Sequence, residues 1–192
     1  MKEEIYRHDR VVLKPWDPKT GAYFRDEKAR LSKSLDISFE LHHIGSTAVT
    51  GLGGKNIVDM LLLVSDENTA GSLIGILESL GYNHNQNAGD KHRIFFNCNR
   101  NFNGNRIHMH LHLMWKTVKK YEDHLIFRDY MREHPVEANK YYSLKKQWAK
   151  KARHIREKYT EMKGDYIMPP VIDRGRCVGC GIGEDACLVP ST

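Results

Sequence analysis

The sequence predicts an α/β protein, more strictly α+β, built on a mixed sheet covered largely by helices. Three observations carry this. Segments with strand-like patterns are interleaved with segments of helical period. Arg93–Cys98 and Arg106–Trp115 flank an Asn- and Gly-rich run and so read as an antiparallel hairpin. The last part of the chain is helical, broken at His134-Pro135. At 192 residues the chain fits one domain with a short appendage, expected at residues 1–167 and 168–192.

Taken in order, Arg10-Val11-Val12-Leu13 reads as a short strand. Trp16-Asp17-Pro18 opens the first helix, with Asp17 as N-cap and Pro18 at the first helical position, where its missing N–H is harmless. Tyr23, Phe24, Leu31 and Leu35 mark its apolar face to about Ser34. The segment from Ile37 to Ile44 alternates at Ile37, Phe39, Leu41 and His43, as a strand does. It runs into Gly45-Ser46-Thr47-Ala48-Val49, small residues that suit a tight turn into a short helix. Gly51-Leu52-Gly53-Gly54-Lys55 reads as a flexible loop. Ile57 to Val64 is almost continuously apolar, as in a buried strand, and Asp59 is its one charged residue. Asp66 caps an amphipathic helix carrying Ala70, Leu73, Ile74, Leu77 and Leu80, with Gly81 where a C′ glycine belongs. After the hairpin, helix is expected from Lys119 to about Lys163. Tyr141, Leu144, Trp148, Ala152, Ile155, Tyr159 and Met162 recur there every three or four residues. That stripe should be buried while the lysines and arginines point outward.

No stretch approaches the roughly 18 uninterrupted apolar residues of a membrane span. The N-terminus lacks the apolar core of a secretory signal. Both readings place the protein in the cytoplasm, where thiols stay reduced and four cysteines need not pair. The net charge of +6 is concentrated: between Glu137 and Lys163 nine Lys/Arg stand against three Glu, and the remainder of the chain sums to zero. The basic helix 137–163 is either a solvated face or a surface for phosphate or RNA.

An aspartate inside an apolar strand is costly unless neighbours offset its desolvation. Asp59 lies on the strand after the Gly45-Ser46 turn, and this pairing resembles the signature of nucleotidyltransferases. His43-Ile44-Gly45-Ser46-Thr47-Ala48-Val49-Thr50-Gly51-Leu52, followed by Lys55-Asn56-Ile57-Val58-Asp59-Met60, resembles the central motif of the GrpB family. Further similarity lies at Arg93–Phe96, His108–Leu113, Phe127–Arg132 and Tyr142–Lys145, in order from about Val11 to Ile167. The resemblance implies a nucleotidyltransferase-like fold. It further implies that Gly45, Ser46 and Thr47 hold a nucleotide's phosphates at a helix N-terminus. Asp59 would hold a divalent metal, Mg, Mn or Zn, that draws in those phosphates.

The sequence also departs from the family. Thr50 and Asn56 stand where Pro is common, and Gly53 and Gly54 where Ala is common, which should loosen the loop. Leu61 occupies the place of a second carboxylate, two residues after Asp59 on the same strand face. One carboxylate seldom holds magnesium tightly unless phosphates add ligands, so ordinary two-metal catalysis conflicts with Leu61. His108, His110 and His112 share one face of a strand. With Asp59 they could bind zinc, manganese or iron, act as general bases, or donate to phosphate; the plain alternative is that they are buried and hydrogen-bonded. His110 is the central choice beside Asp59 for a catalytic role. His43 either points into the same cavity or is structural. Arg93 and Arg128 are the candidate phosphate ligands, because a guanidinium grips phosphate bidentately. For Arg128 an ion pair with Asp129 is the alternative. Gly53-Gly54-Lys55 is no P-loop: Val49 replaces the first glycine, Asn56 replaces Ser/Thr, and a strand follows.

Beyond Ile167 the character changes. Met168-Pro169-Pro170 ends the helix, and Cys177, Cys180 and Cys187 follow in a run that resembles the cluster-binding segment of bacterial-type ferredoxins. Gly183 stands at one ligand position and Leu188 replaces the usual Pro, so the tail alone cannot complete a four-cysteine iron–sulfur site. Cys98 or a partner chain would have to supply a ligand. Zinc on three cysteines, or a metal-free tail, are the alternatives.

Three functions follow. One is binding of a nucleotide or other phosphate ligand, with metal-dependent nucleotidyl transfer to an acceptor. Another is a non-catalytic nucleotide- or RNA-binding module that has lost the second carboxylate. The last is a metal-dependent hydrolase using the histidines.

Overall fold

Period-two patterning decides the architecture of residues 10–164, the part of the chain that the computed structural model describes. Strands β1 (Glu40–Ile44), β2 (Val58–Val64), β3 (Asn83–His84), β4 (Ile94–Phe102) and β5 (Asn105–Trp115) form one sheet in the order β1-β2-β5-β4-β3. The pair β2–β5 is parallel and the other neighbours are antiparallel, so the sheet is mixed. Helices α1 (Thr20–Ser34) and α2 (Glu67–Ser79) cover one face. There Tyr23, Leu31, Ala70, Leu73 and Leu77 meet Met60, Leu62, Leu111 and Leu113 in the main core.

The other face is only partly apolar. Ile44, Leu61, Leu63 and Met114 form a small cluster with Tyr121 and Leu125 at the start of α3 (Glu122–Glu133). Helix α4 (Pro135–Lys151) then packs Ala138 and Tyr141 on Val49, Leu52 and Met131. Helix α5 (Arg156–Gly164) places Tyr159 with Val11, Ala149 and Ala152. Among the described residues, no helix is long and apolar enough to cross a membrane.

Several expectations shift. The first helix begins at Thr20, because Asp17 caps a preceding turn by accepting from the Lys19 N–H at 2.9 Å. Arg10–Leu13 joins no sheet; it makes isolated bridges with Ile155 and, through Lys14, with Gly54. The hairpin loop shrinks to Asn103-Gly104, with φ of 50° and 82°, so the strands extend to Phe102 and Asn105. Two consecutive left-handed residues give the turn whose twist matches paired strands. The terminal helix breaks again at Arg153 and His154, with φ of 50° and 61°, and the break leaves Ile155 exposed instead of on the buried stripe.

The loop from Gly51 to Lys55 is pinned. Lys14 and Gly54 exchange both backbone hydrogen bonds, at 2.7 and 2.9 Å. A Cβ on Gly53 would lie 2.3 Å from the Tyr142 ring, so glycine here serves close packing and not flexibility. Asn56 sits at φ 58°, which a proline ring cannot adopt. The tail with Cys177, Cys180 and Cys187 lies outside the described residues. Cys98 is fully buried under α1 and α2, and burial pushes its thiol up to about 11, an inert group unsuited to a shared cluster.

Candidate functional site

Strand register brings the ionisable groups together. In the ladders Asp59 lies beside His110, and His110 beside Asn97; His108 pairs with Asn99 and His112 with Phe95. Because side chains alternate, Asp59, Leu61, His108, His110 and His112 all emerge on the α3 side of the sheet. His43 does not: it faces α1, stacks on Phe24 at 4.9 Å, and hydrogen-bonds Thr47 Oγ1 at 3.0 Å. Both contacts are with the scaffold.

At the centre, His110 Nδ1 donates to Asp59 Oδ1 at 2.9 Å, and His112 Nε2 approaches the same oxygen at 4.0 Å. Burial alone would push the Asp59 carboxyl up. The hydrogen bond from His110 and the approach of His112 outweigh that and hold it well below the usual carboxylate range. Burial drives His112 down against the pull of Asp59. Burial also takes His108 and His124 down to about 4. Asp59, His110 and His112 each offer a ligand atom, all within 4.8 Å of one another. His108 stands outside this triad, bonded through Nδ1 to Asn99 Oδ1 at 3.1 Å.

The turn before β2 is built around this carboxylate. Gly45 has φ 69° and ψ −165°, a region open essentially to glycine. A Cβ there would also lie 2.7 Å from Asp59 Oδ2. Thr47 is committed to the scaffold: its hydroxyl donates to Ile57 O at 2.9 Å, and its carbonyl accepts from Trp16 Nε1 and Thr20 Oγ1. Arg128 grips Asp129 with two contacts of 2.7 and 2.8 Å and reaches His43 O at 3.3 Å. Arg132 donates to Ala48 O at 2.9 Å, so α3 clamps both ends of the turn. For Arg128, therefore, the ion pair is the geometry found. Arg93 is held by Ala88 O at 3.0 Å and Asp90 at 3.5 Å.

Lys145 was hidden in the sequence. It is buried at 2% exposure, with Nζ donating to Ser46 Oγ at 2.8 Å and Gly53 O at 2.5 Å. The expectation that every lysine of 137–163 points outward is corrected here. A signal existed: Lys145 falls four residues after Tyr141 and four before Ala149, both buried, and so lies on the inward stripe.

Fold and site together define a mixed-sheet α/β protein with an aspartate–histidine cluster beside a glycine turn. The family described as "GrpB protein" matches residues 10–170, and the chain belongs to the GrpB family. It is similar to a UPF0157 protein of Pseudomonas aeruginosa, with 33% identity over 83% of this chain and 65% of that protein. The UPF0157 protein YqkA of Bacillus subtilis is 30% identical over 85% of this chain and 47% of its own length. The chain thus spans about half to two thirds of these two relatives. The crystal structure of conserved protein GrpB from Enterococcus faecalis superposes with a TM-score of 0.66 and 29% identity, covering 79% of this chain and 93% of that one.

Proposed function

We propose that the protein binds one divalent metal ion through Asp59, His110 and His112 and uses it to hold a phosphate-bearing ligand, a nucleotide by the implication of the family resemblance. The observation that carries this is the convergence of three ligand atoms within 4.8 Å. Bonds of about 2.0–2.2 Å in a tetrahedral shell put ligand atoms about 3.4 Å apart. The contacts of 2.9 and 4.0 Å bracket that value, so small side-chain shifts would suffice. Two imidazoles and a carboxylate suit zinc, manganese or iron better than magnesium. Such a metal, when bound, would polarise a phosphoryl oxygen or activate water. The residues divide the remaining work. Gly45 makes room for the carboxylate, and Lys145 carries positive charge to Ser46, where a phosphate would sit. His108 lies beside the triad as a further hydrogen-bonding group.

Leu61 bears on what the metal does. It is fully buried in an apolar cluster, so no second carboxylate supports a second metal. One-metal binding or hydrolysis fits this donor set better than ordinary two-metal nucleotidyl transfer. RNA binding through 137–163 has less support, since the helix breaks at Arg153 and Lys145 turns inward.

The test is a cobalt(II) titration of metal-free protein, followed by absorbance, in a Cys177→Ala, Cys180→Ala background that silences the tail. Saturable binding, lost in Asp59→Asn and enhanced by added nucleoside triphosphate, is the expected result. An unchanged titration in Asp59→Asn would remove this carboxylate from the site.

A further inference from the structure

Among the described residues, two buried side-chain polar atoms lack a hydrogen-bond partner: Arg93 Nε and His112 Nδ1. A buried polar atom without a partner is costly, so a pair of them in one corner asks for one. They do share a corner. Phe95 lies opposite His112 in the β4–β5 ladder, and Arg93 precedes Phe95 by two residues, on the same side of the chain. Diagonal neighbours across such a ladder stand about 7–8 Å apart, within reach of a long side chain. The Arg93 charge acts on both His112 and His124. His124 of α3 closes the corner, its ring centroid 5.3 Å from that of His112. Phe95 walls it, edge-on to His110 at 5.0 Å and to His112 at 5.2 Å.

The guanidinium is set in place from behind. Its Nη2 donates to Ala88 O at 3.0 Å, and Asp90 lies 3.5 Å away. A Cβ on Gly89 would stand 2.8 Å from Arg93 O, so a side chain at that position would displace the segment. The chemistry of the missing partner then follows, given the metal reading above. If His112 lends its Nε2 lone pair to the metal, its proton must sit on Nδ1. Arg93 Nε is always a donor. Two buried donors, one of them charged, require an acceptor, and an anionic oxygen satisfies both hydrogen bonding and charge.

We propose that Arg93, His112 and His124 form an oxyanion subsite for a phosphate or carboxylate group, on the opposite side of the metal triad from Ser46 and Lys145. The ligands of this protein would then carry two separate anionic groups, one at each pole, with the metal between them. In a transfer or hydrolysis reaction the group bound here belongs to the second substrate or to the far end of the first.

The probe is inorganic phosphate, titrated into ¹⁵N-labelled, zinc-loaded full-length protein. The Arg93 Nε–H and His112 Nδ1 resonances should shift and saturate, Nδ1 should carry a proton, and Arg93→Gln should weaken the binding seen at His112 at least tenfold. Ser46→Ala should leave these shifts in place. Shifts confined to Ser46 and Lys145, or shifts at Arg93 that never saturate, would overturn the subsite. Repeating the titration without zinc separates the two proposals. A protein that takes up no zinc would sink the metal reading. The anion subsite would survive that result only if phosphate still saturated Arg93 Nε–H and His112 Nδ1 still carried its proton. Phosphate at Arg93 with a bare Nδ1 would overturn both.

Discussion

The two faces of this sheet are cut from the same strands and differ in kind. Towards α1 and α2, β2 and β5 present Val58, Met60, Leu62, Met109, Leu111 and Leu113, all buried. Towards α3, the alternate residues of the same strands are Asp59, Leu61, His108, His110 and His112. One face holds the fold together by excluding water. The other is apolar only around Leu61 and Leu63 and otherwise keeps a half-buried row of ionisable groups. The contrast teaches where selection for packing stops. At Leu61 the apolar patch ends, and one register step away at Asp59 the site begins.

The largest effect should come from Leu61→Asp, which places a second carboxylate two residues after Asp59 on the same strand face. Because Leu61 is fully buried among Ile44, Leu63 and Met114, we expect a loss of about 3–5 kcal/mol in chemical denaturation and no gain in metal binding. A stable variant that binds a second metal would show that this patch belongs to the site after all. Next is Gly45→Ala, with its Cβ 2.7 Å from Asp59 Oδ2 and a backbone φ of 69°. It should cost about 1–3 kcal/mol and weaken cobalt binding as well, since the carboxylate must move.

His43 tests the packed side. Burial, helped by Arg132 and Arg128 and opposed by Asp59, pushes it down to about 4. The unfolded chain binds its proton near the ordinary value of about 6.5, so stability is full above that pH and falls as pH drops towards 4. At pH 5 the loss from this residue should be about 2 kcal/mol relative to pH 7. Denaturation midpoints of wild type and His43→Gln at the two pH values measure it, and parallel slopes would refute the assignment. His110→Ala removes the donor that offsets the desolvation of Asp59 and should cost about 1–2 kcal/mol in the same denaturation assay, with metal affinity falling at least tenfold.

Much of this contrast is written in the sequence. Period two placed the three histidines on one face, and the charge at Asp59 marked the strand that meets them. Asp66 and Gly81 bounded α2 as local chemistry requires: Asp66 Oδ1 accepts from the Thr69 N–H, and Gly81 takes φ 83°. What stayed illegible depends on distant partners. The two-residue strand β3 exists only because β4 offers it an edge. The direction of His43 depends on strand phase, and a one-residue change of phase would have turned it to the face that carries Asp59. Lys145 looked like one more surface cation because its partners, Ser46 and Gly53, lie 99 and 92 residues away. Arg93 was named as a phosphate ligand from its side-chain type alone; that its Nε is left without a hydrogen-bond partner appears only in three dimensions.

The Asn103-Gly104 turn has a consequence for the order of assembly. It joins β4 and β5 through a two-residue loop, so the entropy of closing that pair is small and the hairpin can form from local contacts. That hairpin already carries all three ladder histidines and abuts Arg93. Asp59 arrives from 51 residues away, and only when β2 docks in parallel on β5. The imidazole half of the cluster should therefore exist before its carboxylate half. In pulse-labelled hydrogen exchange the amides of Phe96 and Leu111 should be protected ahead of those of β1, and a metal ion added during refolding should bind only in the later phase.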